Sequence, residues 1–191
     1  MTAKSTGLVE KAKNDIVGAI KGTGDIAKAT ADTVSGTLSA TLKDAGKVGA
    51  SATEAIGDVA GGAIRGAAHV GAHLGQAAEG TVVGVLHGTK HVGGAAIDTI
   101  GHTAGAVIDH TAAVGGNLEH ATTGLMAGAI HSAKTIGVSA EDAASAAAHG
   151  ALKAADKTGS TALQTVRHAA TQTISGVKVV LKEPFAKSKG T

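Results

Sequence analysis

A period of 22 residues runs through this chain and limits what it can fold into more than any other feature of the sequence. In rows of 22 counted from Lys13, one column reads Ile20, Leu42, Ile64, Leu86, Ile108, Ile130, Leu152 and Ile174, apolar in every row. A second column holds Ile26, Val48, Val70, Val92, Val114, Ile136, Thr158 and Val180. The column directly after it is Gly49, Gly71, Gly93, Gly115, Gly137 and Gly159, flanked by Ala27 and Leu181 in the first and last rows. A fourth column is small: Gly18, Ala40, Gly62, Gly84, Ala106, Gly128 and Gly150. The repeat region is assigned to residues 13–181, with a polar lead-in at 1–12 and a basic flexible tail at 182–191.

The rows partly halve to 11, as in Leu86, Ile97 and Ile108. Eleven residues make three turns at 3.67 per turn, close to the α-helical value, whereas a strand period of two falls out of register with an odd repeat. The spacing therefore predicts helix. At the helical angle the Ile/Leu, Val and Gly columns share a broad apolar face. Lys21, Lys43, Arg65, His87, His131 and Lys153 lie opposite.

A single unbroken helix over the repeat would be about 250 Å long at ~1.5 Å per residue. The chain must therefore fold back, associate, or lie on a surface. The expected fold class is all-α: long amphipathic helices of 22-residue (2 x 11) repeats, folded back as hairpins or a bundle, assembled with other copies, or disordered when isolated in water. Candidate folding points are Gly61-Gly62, Gly93-Gly94 and Gly115-Gly116-Asn117, and Pro184 is a breaker. With one Phe, no Trp, no Tyr and 29 Gly, the chain has few side chains able to fill a conventional core.

Three readings of the repeated glycine stay open. It caps helices, lets another backbone approach, or keeps the helix marginal until it binds. We assign Gly49, Gly71, Gly93, Gly115, Gly137 and Gly159 as close-approach positions. The Ile/Leu column with Val48, Val70, Val92 and Val114 is assigned as the interaction face. Thr81 with Thr103, and Thr89 with Thr111, are 22 apart, but no threonine column is filled through the chain as an ice-matching array would require.

His69 with His73, and His87 with His91, are four apart, a spacing that puts two imidazoles on one helix face. Two ligands do not complete a metal site, and these columns hold Lys or Arg in other rows, so the histidines read as a basic, pH-sensitive surface. No nucleophile elbow or phosphate loop occurs, and the chain is expected not to be an enzyme, with no cofactor and no small-molecule substrate. A net charge of +2 and the lack of stacking aromatics point away from nucleic acid. With no Cys there is no disulfide framework. No apolar run of signal-peptide or membrane-spanning length is present, which predicts a cytoplasmic chain, peripheral to a membrane or granule.

The 11/22 period, with segments such as Glu79-Gly-Thr-Val-Val-Gly-Val-Leu-His-Gly-Thr-Lys-His-Val-Gly-Gly94, resembles the amphipathic repeats of group 3 late-embryogenesis-abundant proteins, synucleins, perilipins and exchangeable apolipoproteins. That resemblance implies a non-catalytic chain that becomes helical on lipid or on drying and coats or protects membranes, lipid or storage-granule surfaces, or proteins under stress. The residues also admit a self-assembling structural protein, a helical bundle or filament packed through its Gly/Ala-rich face. The expected partners are a lipid or membrane surface, or other copies of the chain.

Overall fold

The computed structural model describes residues 3–22, 25–45, 50–89 and 96–178. Over these residues the chain forms eight helices and one short hairpin: α1 (Ala3–Gly22), α2 (Ile26–Ala45), α3 (Ala50–His69), α4 (Leu74–Thr89), α5 (Ala96–Ala113), α6 (Leu118–Ile136), α7 (Ala140–Thr158), α8 (Ser160–Ala170), β1 (Thr173–Ile174) and β2 (Val177–Lys178). Each row of the repeat is thus one helix and its turn. Helices α4, α5, α6 and α7 begin at residues 74, 96, 118 and 140, one period apart.

The turns explain the third column. Gly71, Gly115 and Gly137 take φ of 66°, 67° and 73°, a left-handed conformation that glycine adopts without the Cβ penalty. Each turn closes with the same backbone hydrogen bond to a carbonyl five residues back: Ala72 N to Ala67 O, Gly116 N to Thr111 O and Val138 N to Ala133 O. After Gly115 and Gly137 the next helix starts on a side-chain cap. Asn117 Oδ1 accepts from His120 N at 2.9 Å, and Ser139 Oγ accepts from Asp142 N at 3.0 Å.

The helices pack in two layers. Odd-numbered helices lie side by side in one layer and even-numbered helices in the other, each helix packing on the one two places earlier. The largest buried side chains, among them Ile16, Leu38, Ile64, Ile100, Ile108 and Leu125, fill the space between layers. One buried cluster joins α1, α2 and α3 with Val85 of α4; the other runs from α3 to the hairpin. The fully buried residues that helix α7 contributes to it are all alanines, from Ala143 to Ala155, with Leu152 half-buried beside them.

Several expectations are corrected. Residues 3–12 are the first half of α1, with Val9 and Ala12 buried, rather than a separate lead-in. Gly61 and Gly62 lie inside α3, not at a fold-back; Gly115-Gly116-Asn117 is a turn, and Gly93-Gly94 lies outside the described residues. The last row leaves the helix at Ala170 and ends in a hairpin, where Ser175 and Gly176 take φ of 48° and 79°. The tail at 182–191 also lies outside the described residues.

Candidate functional site

The face assigned to interaction is turned inward. Leu42, Ile64, Leu86, Ile108 and Ile174 are buried, and Ile20, Ile130 and Leu152 are half-buried against the core. Ile174 keeps its place in the column although it stands in β1, because the hairpin folds it back under α6 and α7. Val70 is half-buried at the turn after α3, Val114 is 37% exposed at the turn after α5, and Val48 and Val92 lie outside the described residues. Among the described residues, Ile97 and Val114 are the large hydrophobic side chains left exposed. The repeat's apolar surface is therefore satisfied by the chain itself.

The column named for close approach does not make it. Gly71, Gly115, Gly137 and Gly159 have open space where a Cβ would stand; three are the turn glycines described above, and Gly159, at φ 136°, separates α7 from α8. Gly49 and Gly93 lie outside the described residues. Close approach belongs instead to the fourth column and its neighbours one turn away. Gly80, Gly84 and Gly88 of α4 stand over the carbonyls of Ala27, Ala31 and Ser35 of α2. A Cβ at Gly84 would lie 2.5 Å from the Ala31 oxygen. Gly62 and Gly66 meet α1 in the same way, Gly124 and Gly128 meet α4 at Gly75 and Glu79, and Gly150 meets α5 at Gly101. Glycines four apart share one helix face, so the contact is a strip of backbone on backbone.

The register of these strips explains how the repeat survives unequal spacing. Gly84 faces Ala31, 53 positions earlier, whereas Gly128 faces Glu79, 49 positions earlier. The difference of four is taken up by the connections, since α2 starts 48 residues before α4 and α4 starts 44 before α6. Four residues are about one helical turn, so the Ile/Leu column slides along the helix without leaving its face.

The histidine pairs do not form as spaced. Helix α3 ends at His69 and the turn at Gly71 separates it from His73. His73 instead stacks on His120 of α6, ring centroids 5.1 Å apart and planes 20° from parallel. Stacked imidazoles send their in-plane lone pairs in parallel directions, a poor arrangement for sharing one metal ion. His87 is exposed on α4 and His91 lies outside the described residues. Among the described residues no three His, Asp or Glu side chains gather as metal ligands. The spaced threonines are buried, and three of them donate to the carbonyl four residues back: Thr81 Oγ1 to Ala77 O and Thr103 Oγ1 to Thr99 O, each at 2.7 Å, and Thr89 Oγ1 to Val85 O at 2.8 Å, while the Thr111 hydroxyl is buried without a hydrogen-bond partner.

Two local features remain as candidates. One is an open groove of ≈ 590 Å³ between α1 and α2, floored by Gly18 and Gly36 and edged by Lys11, Asp15 and Asp32. The other is His110 on α5, half-buried, whose ring fills the space where a Cβ of Gly61 on α3 would stand. Burial pushes this imidazole below its ordinary value, with Arg65 acting in the same direction and Asp109 and Asp58 opposing it. The sequence carries a signal for it. In the 22-residue column of His110 the other rows of α3, α4, α6 and α7 hold Gly66, Gly88, Ser132 and Ala154, so an imidazole stands where the repeat is small.

No protein-family model and no curated protein matches the chain. Among solved structures it is similar to the de novo designed helical repeat protein DHR7, with a TM-score of 0.53 and 20% identity over 87% of this chain and 90% of that one. The likeness is one of fold: the chain is a helical repeat protein. Among the described residues no helix is long and apolar enough to cross a membrane.

Proposed function

We propose that this is a non-catalytic helical repeat protein that keeps its amphipathic repeats folded on themselves in water and lays them on an apolar surface, a lipid, membrane or storage granule, where it coats and protects. The observation that carries the reading is the pairing of an inward Ile/Leu column with seams made of Gly and Ala. Each repeat owns a complete apolar stripe, yet few large side chains interlock from helix to helix. Such a bundle gives up little specific packing when it opens, and an interfacial helix regains apolar burial in the headgroup region. The core's alanines support the same reading, since each contributes little area at ~25 cal/mol per Å².

Flotation with anionic vesicles, followed by circular dichroism and amide hydrogen exchange, tests it. The expected result is a chain that is helical alone, floats with vesicles, and loses exchange protection between layers while keeping helix content. Leu86→Asp with Ile108→Asp should abolish flotation. A parent chain that stays at the bottom of the gradient with its protection intact overturns the reading.

Self-assembly is the second reading, favoured by the α1–α2 groove. Gly18 and Gly36 present there the outward small-residue surface that Gly62 and Gly80, 44 residues on, bury against the preceding helices. Sedimentation that rises with concentration in water, and is lost in Gly36→Lys, would select it over the surface-coating reading.

A further inference from the structure

The seams within the odd layer are not alike. Helix α3 approaches α1 through Gly62 and Gly66, and α7 approaches α5 through Gly150. Between α3 and α5 the contact is the least extensive of the layer. The position on α5 that corresponds to Gly66, two periods on, is His110, and its ring reaches across to the notch at Gly61. Helix α3 itself divides the two buried clusters: Ala55, Ile56, Val59 and Ala63 belong with α1 and α2, while Ala60, Ile64 and Ala67 share one cluster with α5 across the seam.

We propose that the α3–α5 seam is an acid-opened hinge, with His110 seated against Gly61 as its latch. In its neutral form the imidazole fills the notch as a flat, largely apolar body. A protonated ring in the same place carries a charge that is partly desolvated and stands near the guanidinium of Arg65. The charges acting most on it are Arg65 and Asp58 of α3 and Asp109 of α5 itself. The helices α4, α6 and α7 also pack on α5, and their charged and titratable side chains, Glu79, His131, His149 and Lys153 among them, all lie on exposed or half-exposed positions.

The sign follows from linkage. The closed seam holds the ring below its ordinary value, so an open seam binds the proton first. The contribution of neutral His110 is complete above about pH 6.5 and falls as the pH drops through that value toward the closed-state one. The consequence for surface binding rests on the function proposed above: acidification would free the two halves of the chain to spread.

The chain contains no Cys, so labels can be placed at will. Spin labels at Thr53→Cys on α3 and His102→Cys on α5, both exposed positions, report the hinge. Labels at Lys43→Cys and His87→Cys report the glycine seam between α2 and α4. Between pH 7.5 and 5.0 in water, the first distance should lengthen and broaden by several ångströms while the second holds. The change should disappear in His110→Gln. It should also share its midpoint with the ring-proton resonance of His110 in the parent chain, a comparison that needs no variant to fold. A distance that does not move, that moves equally in His110→Gln, or whose midpoint departs from that of His110 overturns the hinge. Flotation at the two pH values separates the two proposals. A several-fold gain at pH 5.0 that His110→Gln lacks supports the hinge acting on surface binding, and opening without any flotation at either pH sinks the lipid reading while the hinge stands.

Discussion

Helices α2 and α4 meet as bare backbones, whereas α3 and α5 meet through an imidazole laid over a glycine. Both seams belong to one repeat, and both use a residue without a side chain. In the first, Gly80, Gly84 and Gly88 are pressed on carbonyl oxygens that cannot move without moving the helix. In the second, the neighbour of Gly61 is the far end of a flexible side chain. A glycine therefore does not carry a fixed energetic meaning in this molecule; what stands opposite its missing Cβ decides it.

The strongest way to break that contrast is Gly84→Val. The new side chain has to displace the Ala31 carbonyl and with it the α2 axis, and the expected loss is about 3 kcal/mol in urea unfolding, the upper range for overpacking a tight contact. A loss below about 1 kcal/mol would mean that the seam is not a backbone contact. Next in size is Gly137→Ala, in a turn where space is free but φ is 73°; a cost of about 1 to 2 kcal/mol is expected from the left-handed conformation alone. Gly36→Ala, in the open groove on α2, has the opposite sign: about 1 kcal/mol of stabilisation from helix propensity, read as a raised midpoint in thermal melts. Smallest is Gly61→Ala. The added methyl evicts the His110 ring rather than a backbone, so packing loss and helix gain offset to within about 1 kcal/mol, and the ring, now in water, titrates closer to pH 6.5.

Periodicity made the helices and the apolar column legible, because burial on one face constrains residue type at every turn. Ile64 and Ile108 could be named as interface residues from spacing alone, and both are fully buried. What spacing did not disclose is the partner. The same stripe from Ile20 to Ile174 serves a lipid surface, a second chain or the chain's own other layer, and only the turns decide that it is the last. Gly115-Gly116-Asn117 is the folding point its sequence suggests, but assigning the glycine column to close approach fails for a definite reason. Gly71 and Gly115 project onto the apolar face of a continuous helix, and the left-handed φ that takes them out of the helix depends on the hydrogen bonds of the closing turn rather than on column membership. The fourth column was visible as small residues, but the carbonyls of Ala31 and Glu79 beneath it are set by three-dimensional register, which the unequal connections shift by four positions. His110 was not singled out, although it and Asp44 are the departures from a column otherwise made of Gly, Ala and Ser; the Gly61 notch that receives it lies 49 residues away in sequence.

The alanines that make up the fully buried face of α7 have a consequence of another kind. Alanine and glycine have no rotamers to freeze, so burying Ala143, Ala147, Ala151 and Ala154 in the core, and seating Gly150 on Gly101, costs backbone order and almost no side-chain entropy. A Leu-rich helix loses roughly 0.5 to 1 kcal/mol of rotamer freedom for each such residue and must find the right combination again every time it docks. This helix has Leu152 as its one large apolar side chain at the core, and so few arrangements to find. Docking and undocking of α7 is in that respect a rigid-body event, with its speed set by the backbone and the turns on either side.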